Sequence, residues 1–200
     1  MTVDPRNCAY ERQPIWVMSS HTILPKDEQD LWKAIGQARS LASGPEPFVV
    51  AIDGRSGAGK SKLAGRLLER ARAEDGSDTV ALFHLEDIYP GWEGLEDGID
   101  MYAELLERLM RNEDATWRAW DWTRNHYAEE TQVLSADRSL IIVEGVGSTA
   151  PGHPETRPHF GVWLHLEANI RKYRALKRDG DMYRPYWQLW ASQEDRLFAR

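Results

Sequence analysis

Phe48-Val-Val-Ala-Ile-Asp53 runs directly into Gly54-Arg-Ser-Gly-Ala-Gly-Lys-Ser61. The first six residues form an apolar run closed by an acid, as in a central parallel strand covered on both faces. The next eight satisfy G-x-x-x-x-G-K-[ST]. Leu63, Ala64, Leu67, Leu68 and Ala71 then recur at helical spacing. A buried strand, a glycine loop and an amphipathic helix in that order form a phosphate-binding loop. Its glycines allow successive backbone N–H groups to turn toward an anionic oxygen. The helix that follows adds the positive end of its dipole and its unpaired N–H groups. Gly54, Arg55, Ser56, Gly57, Ala58, Gly59, Lys60 and Ser61 are therefore candidate nucleoside-triphosphate ligands. Lys60 reaches for the β and γ phosphates and Ser61 for Mg²⁺. A dinucleotide loop is disfavoured, because residues 54–59 read G-x-x-G-x-G instead of G-x-G-x-x-G.

Outward from this loop, strand and helix patterns alternate. Val80–Phe83 reads as a short strand, Leu140–Val143 as a second buried strand, and Val162, Leu164 and Leu166 as a half-buried one. Helical spacing is expected from Asp27 to Leu41, over 99–110, over about 167–178 and over 185–198. Residues 1–25, broken by Pro5, Pro14 and Pro25, read as an extended lead-in, and 84–98 as irregular. This alternation predicts an α/β fold with a mainly parallel sheet covered on both faces. No repeat or linker divides the 200 residues, so a single domain is expected, with an N-terminal extension and helix over 1–45.

Composition narrows the function. Twenty-five Lys and Arg against 32 Asp and Glu give a net charge of −7, which argues against coating nucleic acid or a membrane surface. No apolar run approaches the roughly 20 residues that span a bilayer. The N-terminus lacks a signal-peptide core, and the single Cys8 suits a reducing cytoplasm, so a cytoplasmic location is expected. The histidines show no metal-ligand spacing and no G-x-S-x-G nucleophile elbow occurs. Nine tryptophans are many for this length; most are expected to pack elements together and a few to line a pocket.

Three further groups carry candidate chemistry. Glu86 and Asp87 follow the strand at Val80–Phe83, where one acid would take a proton from a substrate hydroxyl while the other orients metal-bound water. Glu144 ends the strand Leu140–Val143 and precedes Gly145, the geometry of an acid facing Mg²⁺. Arg171, Arg174 and Arg178 are spaced i, i+3, i+7 and share one helix face, from which guanidinium groups can stabilise charge on a transferring phosphoryl group.

On these residues the chain resembles the P-loop kinase group that contains uridine kinases, phosphoribulokinases and bacterial pantothenate kinases. The resemblance spans about residues 48–180. It rests on the phosphate loop, Glu86-Asp-Ile-Tyr89, Trp120-Asp-Trp122, Glu144-Gly145 and the arginines ending in Arg178-Asp179. It implies a three-layer P-loop NTPase fold with a small helical lid at about 170–185. It also implies that Glu86 or Asp87 is the catalytic base, that Glu86 joins Ser61 and Glu144 at the metal, and that Tyr89, Trp120, Asp121, Trp122 and His126 face the acceptor. The family's sugar-holding acid has no matching motif, although Asp97 and Asp100 lie in the right region. The implied activity is ATP- and Mg²⁺-dependent phosphotransfer to a small, nucleoside-like hydroxyl acceptor. The alternative is an ATP-binding regulatory protein or ATPase without such an acceptor. A homo-oligomer is compatible with either.

Overall fold

The computed structural model describes residues 15–19 and 25–199. In chain order the elements are β1 (Ile15–Ser19), α1 (Pro25–Leu41), β2 (Phe48–Asp53), α2 (Lys60–Asp75), β3 (Val80–His84) and α3 (Leu95–Met110). After these come β4 (Ala115–Asp121), β5 (His126–Leu134), β6 (Leu140–Glu144), β7 (Phe160–His165), α4 (Ala168–Tyr183) and α5 (Trp187–Phe198). Five strands form a parallel sheet in the order β1-β7-β2-β6-β3, and β4 and β5 pair as a separate antiparallel hairpin.

Every residue of β2 and β6 is buried, which is why both read as continuous apolar runs. Side chains of successive residues leave the sheet on opposite faces. Val50, Ile52 and Ile142 join Leu31 and Ile35 of α1 and Leu63 and Leu67 of α2 in one core. On the other face Val49, Ile141 and Val143 join Ile99, Tyr102 and Leu106 of α3 and Trp190 and Leu197 of α5. Three layers result. Each fully buried Leu or Ile contributes roughly 2 kcal/mol from surface removed from water. Among the described residues no helix is long and apolar enough to cross a membrane.

The structure departs from the sequence expectations in four places. Part of the expected lead-in is a strand, because Ile15–Ser19 adds to the sheet edge in parallel register with Gly161–His165. Residues 1–14 and 20–24 lie outside the described part. Residues 115–134 form a hairpin whose edge Trp117 packs against Phe83, with ring centroids 4.8 Å apart at 74°. Helix α3 begins at Leu95 instead of 99, passing through Gly98, where a Cβ would lie 2.4 Å from the Tyr89 ring. Helix α4 continues to Tyr183, with a kink at Gly180 (φ 55°, ψ −130°).

Candidate active site

The carboxyl ends of β2, β3 and β6 lie side by side, so the residues that close these strands meet at one edge of the sheet. This is where ligands bind in open parallel α/β sheets. A cleft of about 1130 Å³ opens there, walled by the phosphate loop, the residues after β3 and β6, helix α4 and helix α5.

Asp53 ends β2 and is fully buried. Its carboxylate accepts from the N–H groups of Gly54 (2.6 Å), Gly147 (2.8 Å) and Thr149 (3.0 Å) and from the Thr149 hydroxyl (2.5 Å). One side chain thus ties the start of the phosphate loop to the loop after β6. Two glycines set the loop's path. A Cβ on Gly57 would lie 2.2 Å from the Arg171 carbonyl oxygen, and Gly59 adopts a left-handed conformation (φ 97°) immediately before α2. No side chain caps that helix start, which leaves its first N–H groups directed at the cleft, as an anion site requires. Lys60 is buried with its Nζ 3.4 Å from the Arg55 carbonyl oxygen, and it lines the cleft beside Ser61.

Glu144 is buried at the end of β6, paired in register with His84 at the end of β3. The His84 Nδ1 lies 2.7 Å from Glu144 Oε1. Burial alone would raise the Glu144 pKa. Hydrogen bonds from His84 and Ser61, with the charge of Lys60, outweigh it and hold the carboxyl below its ordinary range. The same bond to Glu144 raises the His84 pKa. Ser61 and Glu144 therefore offer adjacent oxygen donors, with Glu86 on the same cleft wall. No three His, Cys, Asp or Glu side chains converge as a metal cage among the described residues. Such a partial oxygen shell fits Mg²⁺, which usually keeps waters and phosphate oxygens among its ligands.

Glu86 and Asp87 lie in a single 3-10 turn after β3. Glu86 lines the cleft and Asp87 does not. Burial raises the pKa of both, against the opposing charges of Arg178 on Glu86 and of His84 on Asp87. Arg178 reaches Glu86 at 3.6 Å and forks onto Asp179 at 2.7 and 2.8 Å. Arg174 and Arg178 both line the cleft.

Arg171 is placed otherwise than expected. It is buried and turns to the protein backbone, donating to the carbonyls of Leu166 (3.0 Å) and Ser56 (3.2 Å) instead of facing the cleft. Three arginines on one helix face do not share a fate, because α4 packs its first turn against the phosphate loop and only its later turns overhang the opening.

Of the residues expected at the acceptor, Tyr89 and Trp122 line the cleft. Tyr89 is buried and donates its hydroxyl to the Val146 carbonyl at 2.8 Å, while the Trp122 Nε1 donates to the Glu86 carbonyl at 3.0 Å. Trp120, Asp121 and His126 are placed otherwise. Trp120 packs edge-on to Tyr127, Asp121 accepts from the Thr123 and Arg124 N–H groups in the hairpin turn, and His126 Nδ1 donates to the Tyr127 carbonyl. The hairpin needs these three for its own turn and packing. Arg55 belongs to the loop but points outward to Asp195. Asp97 and Asp100 do not line the cleft, and Asp100 pairs with His153 at 2.9 Å.

The sequence reading missed Trp92, Tyr183 and Trp190, which line the cleft together with the phosphate loop. Trp92 packs against Trp122 (4.8 Å) and lies nearly parallel to Tyr183 (5.1 Å, 16°) and Tyr186 (4.8 Å, 6°). It also missed Glu194 and Gln193, buried polar residues of α5. A signal existed for Glu194. With Trp187, Trp190 and Leu197 it falls on one helical stripe, an acid at a core position.

No protein-family profile matches the chain. A uridine kinase of Leuconostoc citreum is 29% identical over 154 residues, covering 69% of this chain and 71% of the relative. A uridine kinase of Vibrio vulnificus is 25% identical over 146 residues, covering 66% and 68%. Among solved structures, a candidate fructose transport system kinase from Silicibacter superposes with a TM-score of 0.60 at 15% identity, over 74% of this chain and 79% of the other. A candidate uridine kinase from Bacillus stearothermophilus gives 0.51 at 21%, over 77% and 91%. By sequence and by fold, the chain resembles the P-loop small-molecule kinases of the uridine kinase group.

Proposed function

We propose that this protein is an ATP-dependent kinase that phosphorylates the hydroxyl of a small, nucleoside-like acceptor. The observation that carries this reading is the convergence of the phosphate loop, the cleft-facing Glu86, the two arginines of α4 and several aromatic side chains on one cleft. Helix α2 and its uncapped start bind the phosphate chain, with Lys60 as its cationic partner. Ser61 and Glu144 would hold Mg²⁺, with Glu86 near it. When bound, that ion offsets the negative charge of the phosphate oxygens.

Glu86 is the base. A carboxyl whose pKa is raised holds a proton more readily, which suits it to take one from a hydroxyl. The acceptor oxygen forms a bond to the γ-phosphorus as the bond to the bridging oxygen breaks, ADP leaves, and the hydroxyl proton passes to Glu86. Arg174 and Arg178 bring guanidinium charge to the equatorial oxygens. Arg178 can swing between Glu86 and a phosphate because its own side chain and that of Glu86 are both exposed and their contact is a loose 3.6 Å. Trp92, Trp122, Tyr183 and Trp190 give the acceptor an apolar, planar wall, which supports a ring-bearing alcohol.

One observation favours the second reading, an ATP-binding regulator or ATPase: neither Asp97 nor Asp100 lines the cleft to hold sugar hydroxyls. ADP release measured with ATP, Mg²⁺ and a panel of nucleosides and other small alcohols separates the two. Acceptor-stimulated turnover that falls by about 100-fold or more in Lys60→Ala is expected for the kinase. Tight ATP binding with no acceptor stimulation would establish the regulator instead.

A further inference from the structure

Helix α5 lies beyond the part of the chain on which the kinase resemblance was built, yet it touches the phosphate loop through a buried acid. Glu194 is 1% exposed, and its Oε1 accepts the Ser56 N–H at 2.8 Å. Two guanidinium groups flank its other oxygen, Arg171 at 3.8 Å and Arg55 at 3.9 Å. Ser56 is gripped from three sides. Its N–H goes to Glu194, its carbonyl accepts from Arg171 at 3.2 Å, and its side chain hydrogen-bonds with Tyr183. The next residue, Gly57, lies directly under the Arg171 carbonyl.

We infer that Glu194 is a positioning residue for nucleotide binding: by taking the Ser56 N–H it fixes the outer limb of the phosphate loop, so that the following amides face the cleft. The argument is one of directions. A backbone N–H can satisfy only one strong acceptor at a time, and Ser56 is committed to protein. Committing it fixes the plane of the peptide entering Ser56, as the Arg171 bond fixes the plane of the one leaving it. The amides of Gly57 to Ser61 then start from a set orientation and need no reordering when phosphate arrives. Burying a carboxylate for this purpose is tolerated because Arg55 and Arg171 neutralise it. The neighbouring Gln193 anchors the same helix to the start of α3, donating to the Trp92 carbonyl at 2.8 Å and accepting from the Leu95 N–H at 3.3 Å.

The inference rests on the nucleotide-binding reading, and its test separates the two. Calorimetric titration of ATP and ADP with Mg²⁺ is run on the parent protein, Glu194→Ala, Glu194→Gln and Leu109→Ala, with thermal melts on each. Leu109 is a core residue of α3 outside the cleft, and its truncation supplies a destabilised protein with an untouched loop. Loss of the charged hydrogen bond should raise the nucleotide Kd about tenfold in Glu194→Ala. Glu194→Gln, whose amide oxygen still accepts from Ser56, should stay within about threefold of the parent. Leu109→Ala should bind like the parent despite its lower Tm. In turnover, the KM for ATP should rise in Glu194→Ala while the KM for the acceptor stays put. If the alanine variant does not fold, Glu194→Asp keeps the charge, withdraws the oxygen by one methylene, and should weaken nucleotide in the same direction. Parent-like affinity in Glu194→Ala, an equal loss in Leu109→Ala, or a glutamine variant as weak as alanine would overturn the inference while the kinase reading stands. A parent protein that binds no nucleotide overturns both, and shows it before any variant is compared.

Discussion

Glu86 keeps an open side chain at the mouth of the cleft, where partial desolvation by the surrounding cleft works against its charge. Burial raises its pKa, with the Arg178 charge pulling the other way. A group whose pKa is higher folded than unfolded holds its proton better in the native state. Its contribution to stability is therefore in place at low pH and is lost as pH rises through the folded value. Glu86→Gln removes that penalty, so its Tm should exceed the parent's at pH 8 by more than at pH 5, while phosphotransfer falls by about 100-fold or more. Melts at the two pH values check this, and an equal Tm offset at both would contradict it. Glu144 behaves with the opposite sign: its pKa is depressed, so its stabilisation is present above the unfolded value and fades on acidification through the folded one. At this scale the sequence was legible where the candidate ligands are consecutive residues, as in Gly54–Ser61, of which the structure places residues 56–61 together along one cleft. It was not legible at Arg171, because an i, i+3, i+7 spacing says which residues share a face and not which turn of the helix is covered.

Helix α4 is two helical segments joined across a kink at one residue. At Gly180 the backbone takes φ 55° and ψ −130°, and a Cβ there would meet nothing within 4 Å. The cost of a side chain at this position is thus conformational and not steric. Gly180→Ala should either destabilise the fold by about 1–3 kcal/mol or pull the helix straight. In both cases Tyr183 and Tyr186 lose their parallel contact with Trp92, and the α4 end of the cleft loosens. A Tm lower by several degrees, together with a reduced kcat, is expected from melts and turnover assays; parent-like values for both would show that the bend carries no load. The hairpin of β4 and β5 shows why some elements escaped sequence reading. Its strands are mostly half-buried or open to solvent and lack a continuous apolar run, so Trp117, Trp120 and Trp122 stood out as residues while the strand carrying two of them did not. Helix α5, by contrast, was legible as a helix, but its buried acid was hidden among the tryptophans of the same stripe.

Across the whole molecule, the sheet order brings the ends of β2, β6 and β3 together, and this adjacency turns three separate sequence signals into one site. The alternation of strands and helices made the α/β class and the parallel sheet legible. Strand order was not, because neighbours in the sheet are far apart in the chain, and neither was the edge strand Ile15–Ser19, whose partner lies near residue 163. The same architecture makes the global stability a reporter of the site, since a ligand that binds only the native arrangement stabilises all of it. Nucleotide at 100 times its Kd adds about 2.7 kcal/mol. For a domain of this size that corresponds to a Tm increase of about 5–10 °C. Lys60→Ala should abolish most of this increase and lower the unliganded Tm only modestly, because it loses a long 3.4 Å contact with the Arg55 carbonyl and a charge near Glu144, while His84 and Ser61 keep their hydrogen bonds to that carboxylate. Melts with and without ATP and Mg²⁺, on parent and variant, read both quantities at once. An unshifted parent would remove the phosphate loop as a nucleotide site, whereas a variant shifted as much as the parent would remove Lys60 from it.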